Sequence, residues 1–126
     1  MYKASNNQGL SLLEVLITLA IIGIVVAWAL PNYQQTVLNS HRKDMQGEML
    51  ELAAAQEQER TLNGSYAAVA SFTSDSGRYD VVITLPAGQN YLITASAKSA
   101  QASDTGCTTL TLDGIGNRSP HSCWVK

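Results

Sequence analysis

The sequence has few of the residues from which metal centres and enzyme active sites are built. It contains two cysteines and two histidines, and their spacing matches neither a zinc motif nor a CxxC redox pair. It contains no GxSxG motif, no phosphate-binding glycine loop and no HExxH motif. We therefore expect no enzymatic activity, no catalytic residue and no cofactor.

Charge of either sign is also scarce. Charged residues make up 14% of the chain, and the formal net charge is −2 at pH 7. A mildly acidic chain gives no support for general nucleic-acid binding, which leaves only a local basic patch as a route to it. Arg118, His121 and Lys126 make the C-terminal stretch the least acidic part of the chain, although a solvated loop explains three scattered basic groups more simply.

What the chain does have is one long apolar run. Residues Leu10 to Leu30 carry a single charge, Glu14, and about 20 apolar residues suffice for a helix to cross a bilayer. A secretory signal peptide would end in small residues at its cleavage site. This run ends instead in Trp28, Pro31 and Tyr33. We therefore expect a retained membrane segment, with any cleavage falling before it.

The helical pattern continues beyond the apolar run. Asn63-Gly64 is a typical helix stop, so the pattern predicts a helix from Leu10 to Leu62 that is roughly 80 Å long. Pro31 removes a backbone donor and predicts a kink, and Gly23 is a second flexible point. The second half of this helix has one apolar stripe, which we expect to pack on a sheet of the same chain: Val37, Leu38, Met45, Met49, Leu52 and Ala53.

After the helix, apolar residues alternate with polar ones at every second position, which predicts strands. Residues 63–77 are interpreted as a loop and 86–90 as a hairpin turn. Alternating segments then predict an antiparallel sheet, so the fold class is α+β, with the second half of the helix covering the apolar face. The predicted strands are 78–85, 91–97, 108–112 and a short fourth strand at 122–125.

Glu14 needs a reason to lie in an apolar run, because a buried carboxylate costs a few kcal/mol at a bilayer centre and less near its edge. Ser11-x-x-Glu14 matches a capping box, and an acid in the first helical turn is favoured by the helix dipole. Local capping alone could therefore explain the residue.

The N-terminal pattern resembles the signature of type IV pilins and related pseudopilins. The pattern is Gly9, an apolar residue, Ser11, two leucines, Glu14 and an apolar run to Pro31. The resemblance implies a leader at 1–9 that a prepilin peptidase removes after Gly9. It also implies N-methylation of the new terminus, Leu10, where most members have Phe. Glu14 and Pro31 then stand at the fifth and twenty-second mature positions typical of the family.

The resemblance also implies an arrangement of domains and a role. Residues 10–31 would form the transmembrane and filament-core half of the helix, and 32–126 an exported head. Within the head we expect an amphipathic helix at 32–62, a loop at 63–77 and the sheet at 78–126. Glu14 would pair with the N-terminal amine of a neighbouring subunit during filament assembly.

Two cysteines in an exported head predict a disulfide between Cys107 and Cys123. Closing this loop would stabilise the head by about 3 kcal/mol, and two free buried thiols are the alternative. The resemblance adds that this region is exposed on filaments and meets partners. Asp104, Asp113 and Asn117 could supply calcium ligands as in the major pseudopilins, but a turn explains them more simply, so we expect no metal.

The short head, the helix end LAAAQEQER and the terminal Cys-Trp are most similar to minor pilins of the PilE type. The implied function is assembly of a type IV pilus, with roles in twitching motility, adhesion and DNA uptake. The implied partners are other pilins, the prepilin peptidase and the assembly machinery. The chain would lie in the inner membrane with its N-terminus cytoplasmic, then in the extracellular filament. A type II secretion pseudopilin and a pilin acting as a DNA or surface receptor stay open as alternatives.

Overall fold

The computed structural model describes residues 9–88 and 90–124. The chain forms two compact units, residues 1–34 and 35–126. One helix, α1 (Leu12–Asn63), contributes to both and ends one residue after the predicted end. Pro31 lies inside α1, and the kink expected there and at Gly23 stays a prediction. The predicted leader lies almost wholly outside the described residues, which begin at Gly9.

The first unit consists of the N-terminal part of α1. Its large apolar side chains are exposed on all sides, from Leu12 at 79% to Val15 at 41%. A stretch of 18 residues within α1 has a mean hydropathy of 2.5, and none of it is buried. Among the described residues, this is a helix long and apolar enough to cross a membrane.

The second unit is a five-stranded antiparallel sheet with strand order β1-β2-β3-β4-β5, and the part of α1 from Gln35 onward packs against it. Each strand pairs with the next one along the chain, which makes the sheet a simple meander. The strands are β1 (Val69–Thr73), β2 (Tyr79–Thr84), β3 (Leu92–Ala97), β4 (Thr109–Asp113) and β5 (Arg118–Ser119).

The core of this unit lies between α1 and one face of the sheet. Met45 and Met49, one helical turn apart on α1, are 2% and 0% exposed. They pack on residues that alternate along β2, β3 and β4, because side chains at every second strand position share a face. The buried strand residues are Tyr79, Val81, Ile83, Ile93, Ala95, Leu110 and Leu112. Four residues of the predicted stripe, Met45, Met49, Leu52 and Ala53, therefore pack in or against this core.

Two parts of the strand prediction were wrong. The predicted loop at 63–77 contains β1, an edge strand whose pairing with β2 is interrupted by an irregularity between Val69 and Phe72. Four of its five residues are exposed, so no apolar alternation marks it in the sequence. A long-range partner, rather than a local pattern, makes this segment a strand.

The end of the sheet also differs from the prediction. Residues His121–Cys123 form a 3-10 helix rather than a strand, and Val125 of the predicted strand lies outside the described residues. The last strand of the sheet is instead β5, in a segment for which the sequence predicted no strand. It is held by pairing of Ser119 with Thr111 and of Arg118 with Leu112. Two residues are too few for a periodic signal, so only the adjacent β4 defines them.

Candidate functional site

The predicted processing and assembly residues lie at the start of α1. The Gly9–Leu10 bond is in an exposed, non-helical stretch. The Val15 N–H donates to the Ser11 carbonyl at 3.1 Å, so Ser11 occupies the N-cap position. Glu14 follows in the first helical turn with its side chain exposed. The roles assigned to Gly9, Leu10 and Glu14 stay predictions.

In the second unit, a disulfide joins Cys107 to Cys123, with their Cα atoms 5.7 Å apart. Both cysteines are buried, at 8% and 4% exposure. The buried Gln46 on α1 donates from Nε2 to the Cys123 carbonyl at 2.7 Å. The C-terminal segment is therefore linked by the disulfide to the loop before β4. It is also linked to α1 by a hydrogen bond.

Inside this disulfide loop, the turn between β4 and β5 is closed by its own side chains. We call residues 113–117 the tip turn. The Asp113 carboxylate accepts from the backbone N–H groups of Ile115, at 3.0 Å, and Asn117, at 2.8 Å, and from Asn117 Nδ2 at 2.8 Å. Burial opposes ionisation of Asp113, but hydrogen bonds from Asn117, Ile115 and Gly116 outweigh it and lower the pKa of the carboxyl.

The tip turn also packs against the β2–β3 hairpin. A Cβ at Gly114 would lie 2.6 Å from the Cβ of Asn90 and 3.1 Å from Cε1 of Tyr91. The Gly114 N–H donates to the Tyr91 carbonyl at 3.1 Å. Glycine is therefore required at this position for close approach, and the turn is fixed on one side. The next residue, Ile115, is 78% exposed.

Arg118, immediately after the tip turn, lies over the Trp124 ring with Cζ 5.3 Å from the ring centroid. The Trp124 indole Nε1–H donates to the Ser119 carbonyl at 3.3 Å, which fixes the ring. A guanidinium stacked on an indole keeps its charge and its hydrogen-bond donors. His121 is exposed in the same loop, and Lys126 lies outside the described residues.

Three other cations of the head contact neighbouring side chains. Arg42 contacts Asp104, with Nη1 3.3 Å from Oδ2, and Lys98 contacts Asp80, with Nζ 2.6 Å from Oδ1. Arg60 donates from Nη1 to the Tyr66 hydroxyl at 2.8 Å. Arg60 also lies over the Tyr66 ring, with Cζ 5.2 Å from the ring centroid, so two arginines of the head stack on aromatic rings.

The residues weighed as calcium ligands have separate partners. Asp104, which is 2% exposed, contacts Arg42 and accepts from Gln101 Nε2 at 3.2 Å. Asp113 and Asn117 bond to each other in the tip turn. Across residues 9–88 and 90–124, no group of three or more His, Cys, Asp or Glu side chains is arranged to hold a metal ion.

Sequence reasoning did not single out Gly114, Ile115 or the Arg42–Asp104 pair. The segment Gly114-Ile115-Gly116 carried a usable signal, because a large apolar residue between two glycines in a turn has little chance of local burial. The ion pair carried none, because its two residues are separated by 62 positions.

Comparisons with known proteins agree with this architecture. Residues 31–111 match the family described as "Type IV minor pilin ComP, DNA uptake sequence receptor". Residues 4–30 match the prokaryotic N-terminal methylation motif. No curated protein gives a significant match.

A solved structure described as a type IV pilin from Shewanella oneidensis is similar to this chain. The two are 29% identical, with a TM-score of 0.58 over 71% of this chain and 99% of that one. Three observations agree: the long helix with an antiparallel meander, the methylation motif, and the family match at residues 31–111. The chain belongs to the type IV minor pilin family that carries the ComP description.

Proposed function

We propose that this chain is processed at Gly9–Leu10 and assembles as a minor subunit into a type IV pilus, anchored in the inner membrane beforehand. The observation that carries this proposal is the exposed apolar surface of α1 between Leu12 and Leu30. In water such a surface is strongly unfavourable, whereas a bilayer or a bundle of neighbouring helices covers it. The N-terminus faces the cytoplasm and the disulfide-bonded head is exported.

In this proposal, Glu14 forms a charge pair between neighbouring subunits during assembly. Cleavage at Gly9–Leu10 creates a cationic amine one helical turn from Glu14. In an apolar filament core, this carboxylate pairs with the amine of a neighbouring subunit, and the desolvation of each charge is offset by the other. A carboxylate that only capped its own helix would be replaceable by glutamine, which also serves in a capping box.

Glu14→Gln separates the two roles. We expect the variant to insert and to be cleaved normally, yet to enter filaments poorly, because removing one partner of a buried pair costs on the order of 3–5 kcal/mol. Electrophoretic mobility reports cleavage, and the content of sheared filaments reports incorporation. Thr18→Val is the control, because it removes a nearby polar group, whose hydroxyl donates to the Glu14 carbonyl at 2.7 Å, without changing a charge. Normal incorporation of Glu14→Gln would show that Glu14 only caps its own helix.

Processing is tested separately. Mass spectrometry of purified filaments should give a chain that begins at Leu10 and carries one added methyl group. Filaments that contained chains beginning at Met1 would contradict the proposal.

A second function, DNA binding by the head, is favoured by one specific observation. Arg118 is held over Trp124, and the Asp113 carboxylate beside it is occupied by three hydrogen bonds from the tip turn. Arg118 thus presents a fixed guanidinium to a phosphate, and the exposed His121 lies in the same loop. The description of the matched family as a DNA uptake sequence receptor supports the same assignment.

Salt dependence tests this second function. Each phosphate contact contributes close to one to the slope of log affinity against log salt. Arg118→Gln should therefore weaken binding of duplex DNA and lower that slope by about 1. Arg60→Gln, at a cation bonded to Tyr66, should leave both unchanged. Equal slopes for Arg118→Gln and the unaltered chain would exclude Arg118 from the interface.

A further inference from the structure

Two exposed aromatic rings lie where the apolar surface of α1 ends. Trp28 is 78% exposed and Tyr33 is 68% exposed. They are the only aromatic residues between Gly9 and Asn63, and the first amide side chain after the apolar run, Asn32, lies between them. The rings therefore occupy the point at which the surface of the helix changes from apolar to polar.

The chemistry of these rings suits the boundary of a lipid bilayer. An indole or phenol ring has an apolar body and a polar N–H or O–H at one edge. Such rings are enriched where the hydrocarbon of a bilayer meets its headgroups, because both parts of the ring find suitable surroundings there. One exposed aromatic residue is ordinary on a protein surface, so the inference depends on where along the helix the rings lie.

Their spacing along α1 fits the thickness of a bilayer. Along a straight helix, the rise from Leu12 to Trp28 is roughly 24 Å. The two residues before Leu12 bring Leu10 close to a full hydrocarbon thickness of about 30 Å from Trp28. Tyr33 lies roughly 7.5 Å beyond Trp28, a distance comparable with the depth of one headgroup layer. Trp28 at one boundary therefore places Leu10 at the other.

The stretch between these two ends suits hydrocarbon. Thr18 is the one residue with a polar side chain from Val15 to Ala27, and its hydroxyl donates to the Glu14 carbonyl at 2.7 Å. Glu14 lies roughly 21 Å from Trp28 along the axis, so it is about 9 Å inside the cytoplasmic boundary. A carboxylate costs less there than at the bilayer centre.

We propose that Trp28 is an anchor residue that holds α1 at a fixed depth in the membrane before assembly. Its indole lies in the headgroup layer on the side away from the cytoplasm, and Leu10 lies at the cytoplasmic boundary. This inference rests on the membrane anchoring proposed above and adds to it a residue and the lipid layer that it contacts. The consequence is that the Gly9–Leu10 bond is held at the membrane surface, within reach of a peptidase.

The test measures the depth of the Trp28 indole by fluorescence. The full chain is placed in vesicles of phosphatidylethanolamine and phosphatidylglycerol, and Trp124→Phe leaves Trp28 as its only tryptophan. Part of the lipid carries bromine, a contact quencher, either near the headgroup or near the end of the acyl chain. We expect the bromine near the headgroup to quench Trp28 more strongly. Trp28→Leu is the matched control, because the remaining Trp124, which is 8% exposed, should respond to neither lipid.

A moved tryptophan separates anchoring from location alone. In the Trp124→Phe chain, Trp28→Leu combined with Asn32→Trp moves the ring by one helical turn, roughly 6 Å further from the hydrocarbon. If the indole sets the depth, α1 slides by this distance and the bromine near the headgroup again quenches more strongly. If the length of the apolar run alone sets the depth, the ring stays in water, with red-shifted emission and weak quenching by both lipids. That result would overturn the inference.

The outcomes also separate this inference from the function on which it rests. If the chain does not float with the vesicles in a density gradient, membrane anchoring and the inference both fail. If the chain floats but the bromine at the acyl-chain end quenches Trp28 more strongly, membrane anchoring stands and the inference is overturned. A floating chain whose Trp28 is quenched by neither lipid would also overturn it, and would assign the ring to a contact with a second copy of the chain.

Discussion

Arg42 on α1 and Asp104 beyond the 3-10 helix Ser99–Ser103 form an ion pair, with Nη1 3.3 Å from Oδ2. Their side chains are 16% and 2% exposed. Gln101 joins the pair by donating from Nε2 to Asp104 and to the Leu38 carbonyl, at 3.1 Å. The β3–β4 connection is thereby bonded to α1.

This pair predicts an asymmetric mutational response. Arg42→Met leaves Asp104 buried without its cation, and we expect a loss of about 3–5 kcal/mol in the free energy of unfolding. The double variant Arg42→Met with Asp104→Leu should lose less, because no unpaired charge remains. Urea unfolding followed by circular dichroism measures both. A double variant less stable than the single one would contradict a dominant charge effect.

The disulfide gives a second prediction. Replacing Cys107 and Cys123 together by serine should lower the stability of the head by roughly 2–5 kcal/mol, because the unfolded chain gains freedom. Chemical denaturation of the unaltered chain with and without reductant should give a similar difference. Equal stabilities in the two conditions would show that the bond constrains little.

Two glycines provide a matched pair for the third prediction. Gly114→Ala places a Cβ 2.6 Å from that of Asn90, and we expect a destabilisation of about 1–3 kcal/mol from the overlap. Gly47→Ala, at an exposed position inside α1 with open space around it, should stabilise by about 0.5–1 kcal/mol. Thermal melts of the two variants should therefore shift in opposite directions.

The tip turn predicts a pH dependence. The pKa of Asp113 is lowered in the folded chain from its ordinary 3.8, so the ionised form is favoured by folding. Its contribution to stability is fully present above the unfolded pKa and is lost as pH falls through the folded pKa, below about pH 3.8. Asp113→Asn should cost about 1 kcal/mol at neutral pH.

The Asp113→Asn variant also provides the control for this dependence of stability on pH. The stability difference between Asp113→Asn and the unaltered chain should shrink as the pH is lowered past this range. A difference that stayed constant down to pH 2 would show that the carboxylate charge does not stabilise the turn.

Features that depend on neighbouring residues follow from the sequence alone. An apolar run with one acid near its start specifies an exposed apolar helix whatever lies downstream, and the Met45–Met49 stripe specifies which face of α1 is buried. Period-two segments located β2, β3 and β4 to within a residue or two. The N-terminal pattern around Gly9 and Glu14 was enough to indicate the family.

Features that depend on distant pairing follow from the tertiary structure instead. β1 and β5 are strands because β2 and β4 offer open edges beside them, and their own sequences carry no alternation. The Arg42–Asp104 pair forms because the meander returns the chain to α1 after 62 residues. The fixed exposure of Ile115 follows from the packing of Gly114 against another hairpin. Contacts of this kind depend on strand register and helix position, which local sequence patterns do not encode.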